Sequence, residues 1–349
     1  MIRAFSMRAV ALTLRIYRWI MRQLAWFDYA YSFLRSPSQI IAKWPQGEIE
    51  VGPRVVIFIH FDGQGDVRDH TLHYVTALRE AGLSVLFVTN SGKLKPAALE
   101  KLKAVCAGVL VRRNIGYDFG AMREGLEYLG LPRANTEMVL IANDSIYGPL
   151  GPLNAMVNRI DFSKADFWGA TDSWQQRYHI QSYLVAAGPK VLQSKAWRDF
   201  WKRVRPVKAK SWVVFKYELG LSQAVVRGGF SVDALWRYHD LTRNVNQAWL
   251  MEPRKDMPVS AEPMMSMRFI HTHRIRHNVA TRTPLNPTSD LWRQLIQAGF
   301  PFIKRELLRD NPSQVADIID WRDEVVKKFG GVPEAIEHDL RRVMRNRVS

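Results

Sequence analysis

The sequence contains one cysteine, Cys106, among 349 residues. A single thiol cannot form a disulfide within the chain, and it cannot build a cysteine-based zinc site. Small secreted domains that depend on several disulfides are therefore excluded. The scarcity of cysteine is typical of a reducing compartment, so we expect a cytoplasmic protein.

Acidic residues are also scarce, with 33 Asp and Glu against 50 Lys and Arg and a formal net charge of +17. This surplus favours anionic partners, namely nucleic acid, an acidic membrane surface or phosphorylated small molecules. No nucleic-acid-binding motif occurs in the chain, so we expect no nucleic-acid partner. The hydrophobic content of 47% indicates a real core, in one large domain or two smaller ones.

Long uncharged runs are absent from residues 1–35, where none approaches the roughly 20 residues of a membrane span. Arginines also interrupt any apolar core of a secretory signal. Projected as a helix, this segment places four arginines opposite five apolar residues: Arg8, Arg15, Arg18 and Arg22 against Phe5, Ile16, Trp19, Ile20 and Phe27. We predict a basic amphipathic helix and linker over residues 1–45. Two interpretations remain open: the helix lies on anionic lipid, or it packs on the domain with its arginines in solvent.

An alternation of apolar strands and helices follows. The predicted strands are 55–61, 84–90, 108–113 and 139–144, and the helices between them are 66–81, 96–105 and 119–129. This order indicates an α/β fold with a mostly parallel, Rossmann-like sheet flanked by helices. Later strands are predicted at 166–173, 182–188 and 267–273, and later helices at 194–204 and 217–228. We assign residues 50–282 to this domain and residues 283–349 to a C-terminal helical region.

The predicted parallel strands all end in polar residues. The candidates for ligand binding at these ends are Asp62, Asn90, Asn114, Asn143, Asp144 and Ser145. Ligands of parallel sheets bind beyond the carboxyl ends of the strands. The sequence therefore predicts a binding site where these residues meet.

The segment RRNIGYDFG (112–120) joins the third of these strands to a helix. Glycine permits close approach of a ligand to the backbone, and the amides of a helix N-terminus attract phosphate. Gly116 and Asp118 are therefore candidates for nucleotide binding, although Asp118 could serve only as a helix cap. The segment VLIANDSIYGPL (139–150) ends the next strand on Asp144, which can hold Mg²⁺ or Mn²⁺ beside a diphosphate. The alternative for this triplet is an ordinary turn.

These segments occur in order with DFWGATDS, HIQSYLV, FKYELGLSQAVVRGGF and NPTSDLWRQLIQAGFPFIKRELLRDNP. Together they resemble the rhamnan synthesis F family, glycosyltransferases of bacterial polysaccharide assembly, over residues 53–312. That family is similar to GT-A glycosyltransferases, in which an acidic motif after the fourth strand binds the metal and the nucleotide. The resemblance implies this role for Asp144, with Asn143 and Ser145 beside it, and nucleotide contacts for Asn114, Gly116 and Asp118. Many GT-A enzymes have Asp-x-Asp where this chain has Asn-Asp-Ser, so strict metal dependence does not follow.

The resemblance also implies partners and a location. The donor would be a nucleotide-diphosphate sugar such as dTDP-L-rhamnose, and the acceptor a lipid-linked glycan of a cell-surface polysaccharide or lipopolysaccharide. The cofactor would be Mg²⁺ or Mn²⁺. We expect the protein at the inner face of the bacterial cytoplasmic membrane, where its basic surface suits anionic lipid.

Sugar transfer needs a base that takes the proton of the acceptor hydroxyl. Glu218, at the predicted start of a helix, is the first candidate and Asp172 the second. The alternative for Glu218 is a first-turn carboxylate that the helix dipole favours. His179 and Ser182 are candidates for the acceptor side. His271 and His273, on one face of the predicted strand 267–273, are candidates for metal binding.

Two other functions stay open. Residues 55–66 superficially resemble the first motif of haloacid-dehalogenase phosphatases, with Asp62 as the nucleophile. That chemistry requires a second carboxylate two residues away, and Gln64 stands there instead. The third function is a non-catalytic membrane-associated scaffold of polysaccharide assembly, although the retained acids argue against it.

Overall fold

The computed structural model describes residues 19–251 and 263–348. Residues 1–18, which carry Arg8, Arg15, Arg18, Phe5 and Ile16 of the predicted amphipathic helix, lie outside this part of the chain. The predicted α/β class is confirmed, since a nine-stranded, mostly parallel sheet forms the centre of the protein. Its strands, in chain order, are β1 Ile40–Trp44, β2 Arg54–His60, β3 Ser84–Thr89, β4 Gly108–Arg112, β5 Met138–Asn143, β7 Phe167–Ser173, β8 His179–Ile180, β9 Leu184–Ala187 and β10 Val232–Trp236. β6 Ile146–Tyr147 and β11 Ile303–Lys304 form a separate antiparallel pair.

The parallel half of the sheet has the order β4-β3-β2-β5. Within this half, β2 lies in the middle and the chain moves outward from it through β3 to β4. The chain then returns to the other side of β2 as β5. The carboxyl ends of β2 and β5 therefore flank the topological switch point, where α/β sheets bind their ligands. On the far side of β5, β9 runs antiparallel and connects it to β7 and β10.

Helices cover both faces of the sheet, which explains why its strands are almost continuously apolar. One core cluster packs α2 (Asp69–Glu80) and α3 (Pro96–Lys103) against the sheet, and the opposite cluster contains α4 (Tyr117–Leu129). Further helices are α5 Leu153–Val157, α6 Pro189–Leu192, α7 Lys195–Arg203, α8 Lys210–Trp212, α9 Leu219–Arg227, α10 Tyr238–Met251 and α11 Pro263–Ala280. A π-helical turn, Val213–Glu218, joins α8 to α9, so residues 210–227 form one continuous helix.

Three sequence-based predictions differ from the structure. The strand predicted at 267–273 is wrong, because this segment lies inside α11. Its buried residues His271 and Ile275 are four positions apart, the spacing of a helix face rather than of a strand. The predicted linker contains the edge strand β1, whose single partner β4 leaves it largely exposed and without a strong apolar pattern. The strand β10 was not predicted.

The first described helix, α1 (residues 19–31), packs on the domain along one face. Asp28, the only acid in residues 1–35, accepts hydrogen bonds from the backbone N–H groups of Lys208 (2.6 Å) and Ala209 (2.9 Å). Tyr29 stacks on Trp212 with ring centroids 4.6 Å apart. Asp28 thus places a negative charge just before the start of the 210–227 helix, where the helix dipole favours it. In the described part of the chain, no helix is long and apolar enough to cross a membrane.

The C-terminal region is helical, as predicted, and packs closely on the sheet. Its elements are α12 Pro287–Asp290, α13 Trp292–Gln297, α14 Arg305–Arg309, the 3-10 turn Ala316–Asp320, α15 Trp321–Phe329 and α16 Glu334–Val348. Phe300 and Phe302 join the same core cluster as α2. Asp339 of α16 accepts hydrogen bonds from Tyr147 Oη (2.6 Å) and Arg68 (2.7 Å). These contacts bring residues after 300 to the carboxyl edge of the sheet.

A buried ion pair holds the loop between β4 and α4. The guanidinium of Arg112, which is fully buried, lies 3.1 Å from the carboxylate of Glu124 and also donates to Asn90 Oδ1 and to the Ile115 carbonyl (2.7 Å). Glu124 in turn accepts the backbone N–H of Gln39 (2.9 Å). These hydrogen bonds and the ion pair fix the conformation of the RRNIGYDFG segment.

Replacing Arg112 by Met should destabilise the fold by about 3–5 kcal/mol, because Glu124 would remain buried without its cation. The free energy of unfolding in urea measures this. The control is Lys103→Met, which removes an exposed pair with Glu100 and should cost under about 1 kcal/mol. A loss below about 1 kcal/mol for Arg112→Met would contradict the role assigned to the buried pair.

Candidate functional site

The carboxyl ends of β2 and β5 are tied directly to each other. The backbone N–H of Asp144 donates to the Ile59 carbonyl (3.1 Å), and the N–H of Phe61 points at Asp144 Oδ2 (3.5 Å). Asp144 therefore lies at the topological switch point, with its carboxylate at the carboxyl edge of the sheet. This is the position that parallel sheets use for ligands.

Asn143 connects this strand end to α4. Its Oδ1 accepts hydrogen bonds from the backbone N–H (3.1 Å) and the hydroxyl of Ser145, and its Nδ2 donates to Asp118 Oδ2 (3.0 Å). The amide can both donate and accept, so it orients two polar groups at once, which a second carboxylate could not do. The Asn-Asp-Ser triplet is thus a turn, one of the two interpretations left open by the sequence. Ligand binding by the same triplet stays a prediction.

Asp118, in the first turn of α4, lies near two other acids. Burial, and after it the negative charge of Asp144, raises the pKa of Asp118 to about 6. Glu218 acts in the same direction, while the hydrogen bond from Asn143 and the charge of Lys210 oppose the shift. Three carboxylates from α4, β5 and the 210–227 helix are therefore close enough to interact electrostatically. Such a cluster favours a cation or a proton between its members.

Glu218 faces the site from the π-helical turn. Its Oε1 accepts a hydrogen bond from Ser182 Oγ at 2.9 Å. The prediction that Glu218 opens a helix is wrong, because the helix begins at Lys210 and Glu218 lies in its middle. The helix-dipole explanation for this acid therefore fails. π-Helical turns often occur at functional sites, where the extra residue re-aims a side chain.

Arg305 also belongs to the candidate site, although the sequence analysis did not identify it. Its Nη1 donates to the carbonyl (2.5 Å) and to Oδ2 (2.9 Å) of Asp144. Burial opposes the charged form of Arg305, but the carboxylate of Asp144 keeps its pKa above the usual value. Its Nε atom is buried and has no hydrogen-bond partner among the described residues. A cation with an unused donor thus lies beside the central acid.

Of four predicted nucleotide-binding residues, three have structural roles here. Asp62 accepts the backbone N–H groups of Gln64 (2.8 Å) and Asp66 (3.3 Å), which shapes its own turn and leaves it poorly placed as a phosphatase nucleophile. Asn90 binds Arg112, and Asn114 is exposed. Gly116 has φ +84°, and a Cβ atom there would press on the Cα of Gly120 and the Cα of Pro206. It therefore allows a left-handed turn under close packing.

Two further candidates lie elsewhere. Asp172, on β7, accepts the backbone N–H of Tyr238 (2.6 Å) at the start of α10, and burial raises its pKa. The charged groups that act on the pKa of Asp172 are Asp233 and Arg237, not the three-carboxylate cluster. His179 is buried and shares a hydrogen bond with the Arg177 carbonyl (2.9 Å). Among the predicted acceptor-side residues, Ser182 alone contacts a carboxylate of the cluster.

The histidines proposed as metal ligands do not support that role. His271 is buried on α11, 3.4 Å from Asp317, and the strand face that would have paired it with His273 does not exist. Over the described residues, no group of three or more His, Cys, Asp or Glu side chains is arranged to hold a metal ion. Asp118 and Asp144 nevertheless fit a divalent cation that a donor diphosphate completes, since Mg²⁺ commonly takes only one or two protein carboxylates. Burial is the main cause of the raised pKa of Asp118 and the charge of Asp144 is the second, and such a cation would oppose both.

Comparison with known proteins decides the family. The family model described as rhamnan synthesis protein F matches residues 85–282. The chain belongs to this family. Membership makes it a glycosyltransferase of polysaccharide synthesis, as the resemblance predicted. The match includes Asp118, Asp144, Ser182 and Glu218 but stops before Arg305.

One relative and two solved structures illustrate what this family member is similar to. The virulence protein VirA of Vibrio anguillarum is 30% identical over 246 residues, which are 69% of this chain and 74% of VirA. A nucleotide-diphospho-sugar transferase from Desulfovibrio desulfuricans is 13% identical with a TM-score of 0.30, covering 65% of this chain and 98% of its own. A mannosyltransferase from Pyrobaculum calidifontis, solved with GDP-Man and Mn²⁺, is 11% identical with a TM-score of 0.31, covering 92% and 97%. The family assignment rests on the sequence matches, since the structural similarities are limited.

The raised pKa of Asp118 predicts a pH dependence of stability. An acid whose pKa is higher in the folded chain binds its proton more tightly there, so stability falls as the pH rises from about 4 to about 6. Asp118→Asn should remove this loss. Its free energy of unfolding, relative to the wild type, should improve across that window and level off above it.

Urea unfolding at a series of pH values measures the difference. The control is Asp161→Asn, since hydrogen bonds from Ser163 lower the pKa of Asp161 to about 2. The stability contributed by Asp161 is lost only as the pH falls below about 4, which is outside the window of Asp118. A difference curve for Asp118→Asn that stays flat between pH 4 and 6 would contradict the assignment.

Proposed function

We propose that the three-carboxylate cluster, with Arg305 and Ser182, is the centre that transfers a sugar from a nucleotide-diphosphate donor to a hydroxyl of a growing cell-surface polysaccharide. The observation that carries this proposal is that Asp118 and Glu218 lie close to Asp144 at the switch point: Asn143, beside Asp144, donates to Asp118 (3.0 Å), and the charges of Asp144 and Glu218 both act on Asp118. Family membership supports a rhamnosyl donor such as dTDP-L-rhamnose and a lipid-linked acceptor.

Arg305 binds the diphosphate in this proposal. Negative charge grows on the leaving diphosphate as the bond between the sugar and the phosphate breaks. A guanidinium beside Asp144 can turn its unused Nε–H toward phosphate oxygens, and charge-assisted hydrogen bonds of this type are strong and directional. Before the nucleotide sugar binds, Asp144 keeps the guanidinium of Arg305 in place. Asn143 and Ser145 hold the strand end that carries Asp144.

Glu218 acts as the general base. The acceptor hydroxyl gives its proton to a Glu218 carboxylate oxygen as its own oxygen bonds to the anomeric carbon, and the donor leaves as nucleoside diphosphate. The hydrogen bond from Ser182 (2.9 Å) fixes the rotamer of the carboxylate for this transfer. General-base catalysis requires such placement within hydrogen-bond reach of the acceptor.

Asp118 and Asp144 are the residues that would hold a divalent cation, either Mg²⁺ or Mn²⁺. Bound there with the diphosphate, the cation would neutralise part of the charge of the leaving group. Because Arg305 supplies positive charge at the same place, we expect the donor to retain some affinity without metal. The protein would act at the inner face of the cytoplasmic membrane, where a lipid-linked acceptor is available.

Glu218→Gln should lower kcat by about 10²–10⁴-fold, since the amide cannot accept the acceptor proton. Release of nucleoside diphosphate from a panel of nucleotide sugars measures turnover, and calorimetry measures donor affinity, which should change little. The matched control is Asp172→Asn, the second candidate for the base. Its amide oxygen can still accept the backbone N–H of Tyr238, so the fold should be kept and kcat should stay near the wild-type value. A reversal of these two results would transfer the role to Asp172.

Arg305→Gln should weaken binding of nucleoside diphosphate by about 10–100-fold in the presence of EDTA, because charge-assisted hydrogen bonds are lost. Binding of the nucleoside without phosphates should stay unchanged, and Arg305→Lys should recover part of the affinity. Arg322→Gln on α15 is the control for loss of a surface arginine. Equal weakening of nucleoside and diphosphate by Arg305→Gln would indicate a structural role instead.

A further inference from the structure

The face of α1 that points away from the domain is apolar. Its exposed side chains recur at intervals of four, three and four residues, the spacing of one helix stripe: Ile20, Leu24, Phe27 and Tyr31. Their exposed fractions run from 44% to 71%. We call them the α1 stripe. The opposite face carries Ala25, Asp28 and Tyr29, whose contacts fix the helix to the domain, so the stripe is held outward.

A cavity of about 1330 Å³ adjoins α1, between this helix, α7 and the 210–227 helix. Aromatic side chains supply much of its wall, including Trp26, Phe200, Trp212 and Phe215. Six basic residues also line it: Arg22, Arg177, Lys195, Arg203, Lys216 and Arg227. The acid in the lining, Asp199, is paired with Lys195. The cavity therefore suits a ligand that is apolar at one end and anionic at the other.

We propose that this cavity, with Met21 and Trp26 of α1 at its border, is a lipid-binding surface that seats the protein on an anionic phospholipid bilayer. The α1 stripe lies on the far side of the helix from the cavity and is not part of this surface. Charge complementarity selects the bilayer, because the basic rim would meet lipid phosphates while the aromatic groups enter the acyl boundary. Trp and Tyr favour that boundary, and interfacial helices bury an apolar face there by 5–10 Å. Most of the surface belongs to the catalytic domain, so the N-terminal helix is not the whole anchor.

The 210–227 helix connects this surface to the site. Phe215, Leu219 and Arg227 line the cavity, whereas Glu218 and Ser222 face the sheet, where they bind Ser182 and the backbone of Ile180. A helix with its side chains is about 10–12 Å across. The base of the proposed function would therefore lie one helix diameter from the lipid phosphates, where a lipid-linked acceptor presents its first sugars. This orientation rests on the proposed function, but lipid binding does not.

The test uses the full chain and vesicles of equal parts phosphatidylglycerol and phosphatidylcholine. The variant Phe215→Ser/Lys216→Glu/Arg227→Glu changes the cavity, and Met344→Ser/Lys327→Glu/Lys328→Glu makes the same change of charge on α15 and α16. The cavity variant should lose at least about tenfold in vesicle affinity, since each basic group near an anionic surface contributes measurably. The control should stay within about twofold. Hydrogen exchange of residues 210–227 should slow when vesicles are added to the wild type.

Three results would overturn the proposal. The first is unchanged vesicle binding by the cavity variant while Leu24→Ser/Phe27→Ser abolishes it, which would leave α1 as the whole anchor. The second is equal binding to vesicles of phosphatidylcholine alone. The third is no binding together with a dimer that the cavity variant dissociates, which would assign the surface to a second copy of the chain. Nucleoside diphosphate affinity, measured on the same proteins, separates failure of this surface from failure of the proposed function.

Discussion

The ion pair between Asp144 and Arg305 joins the two parts of the chain on which the site depends. Asp144 ends β5 at the switch point, and Arg305 arrives 161 positions later at the start of α14. The pair lies mostly out of water, so removing either charge would leave the other buried and uncompensated. The β6–β11 pairing and the contacts of Asp339 hold the same region together. The C-terminal helices therefore complete the site as well as the fold.

This constraint also explains how three acids can share a small volume. Without Arg305, Asp144 would add its full charge to Asp118 and Glu218. With Arg305 present, Asp118 is the acid of the three whose pKa is raised, to about 6. Asn143 donates a hydrogen bond to Asp118, and Ser182 donates one to Glu218. Preorganised charge of this kind is costly in the free protein and useful when a ligand brings the opposite charge. In the proposed function, Arg305 therefore stands where the diphosphate would bind and Glu218 where the acceptor proton would be taken.

The sequence predicted the parts of this arrangement that follow from local pattern. Apolar strands, helix periodicity and the polar strand ends placed Asp144 and Asp118 at one edge, because parallel topology alone brings such ends together. Arg305 could not be found in that way, since its partner is distant in the chain and no spacing links them. The π-helical turn at Glu218 was missed for a similar reason, because π-turns carry no sequence period of their own. The strand predicted at 267–273 failed because a brief alternation of seven residues also fits one buried face of a longer helix.

The helix of residues 210–227 shows how one element can serve several constraints at once. Asp28 binds the two residues that precede its beginning, so α1 is tied to the same helix that carries Glu218. Its middle widens into a π-turn where the carboxylate leaves the helix toward Ser182. A partner that contacts the outer face of this helix therefore lies only about one helix diameter from the three-carboxylate cluster. If Glu218 is the base, as proposed, a residue such as Phe215 would influence catalysis through position alone, without touching either substrate.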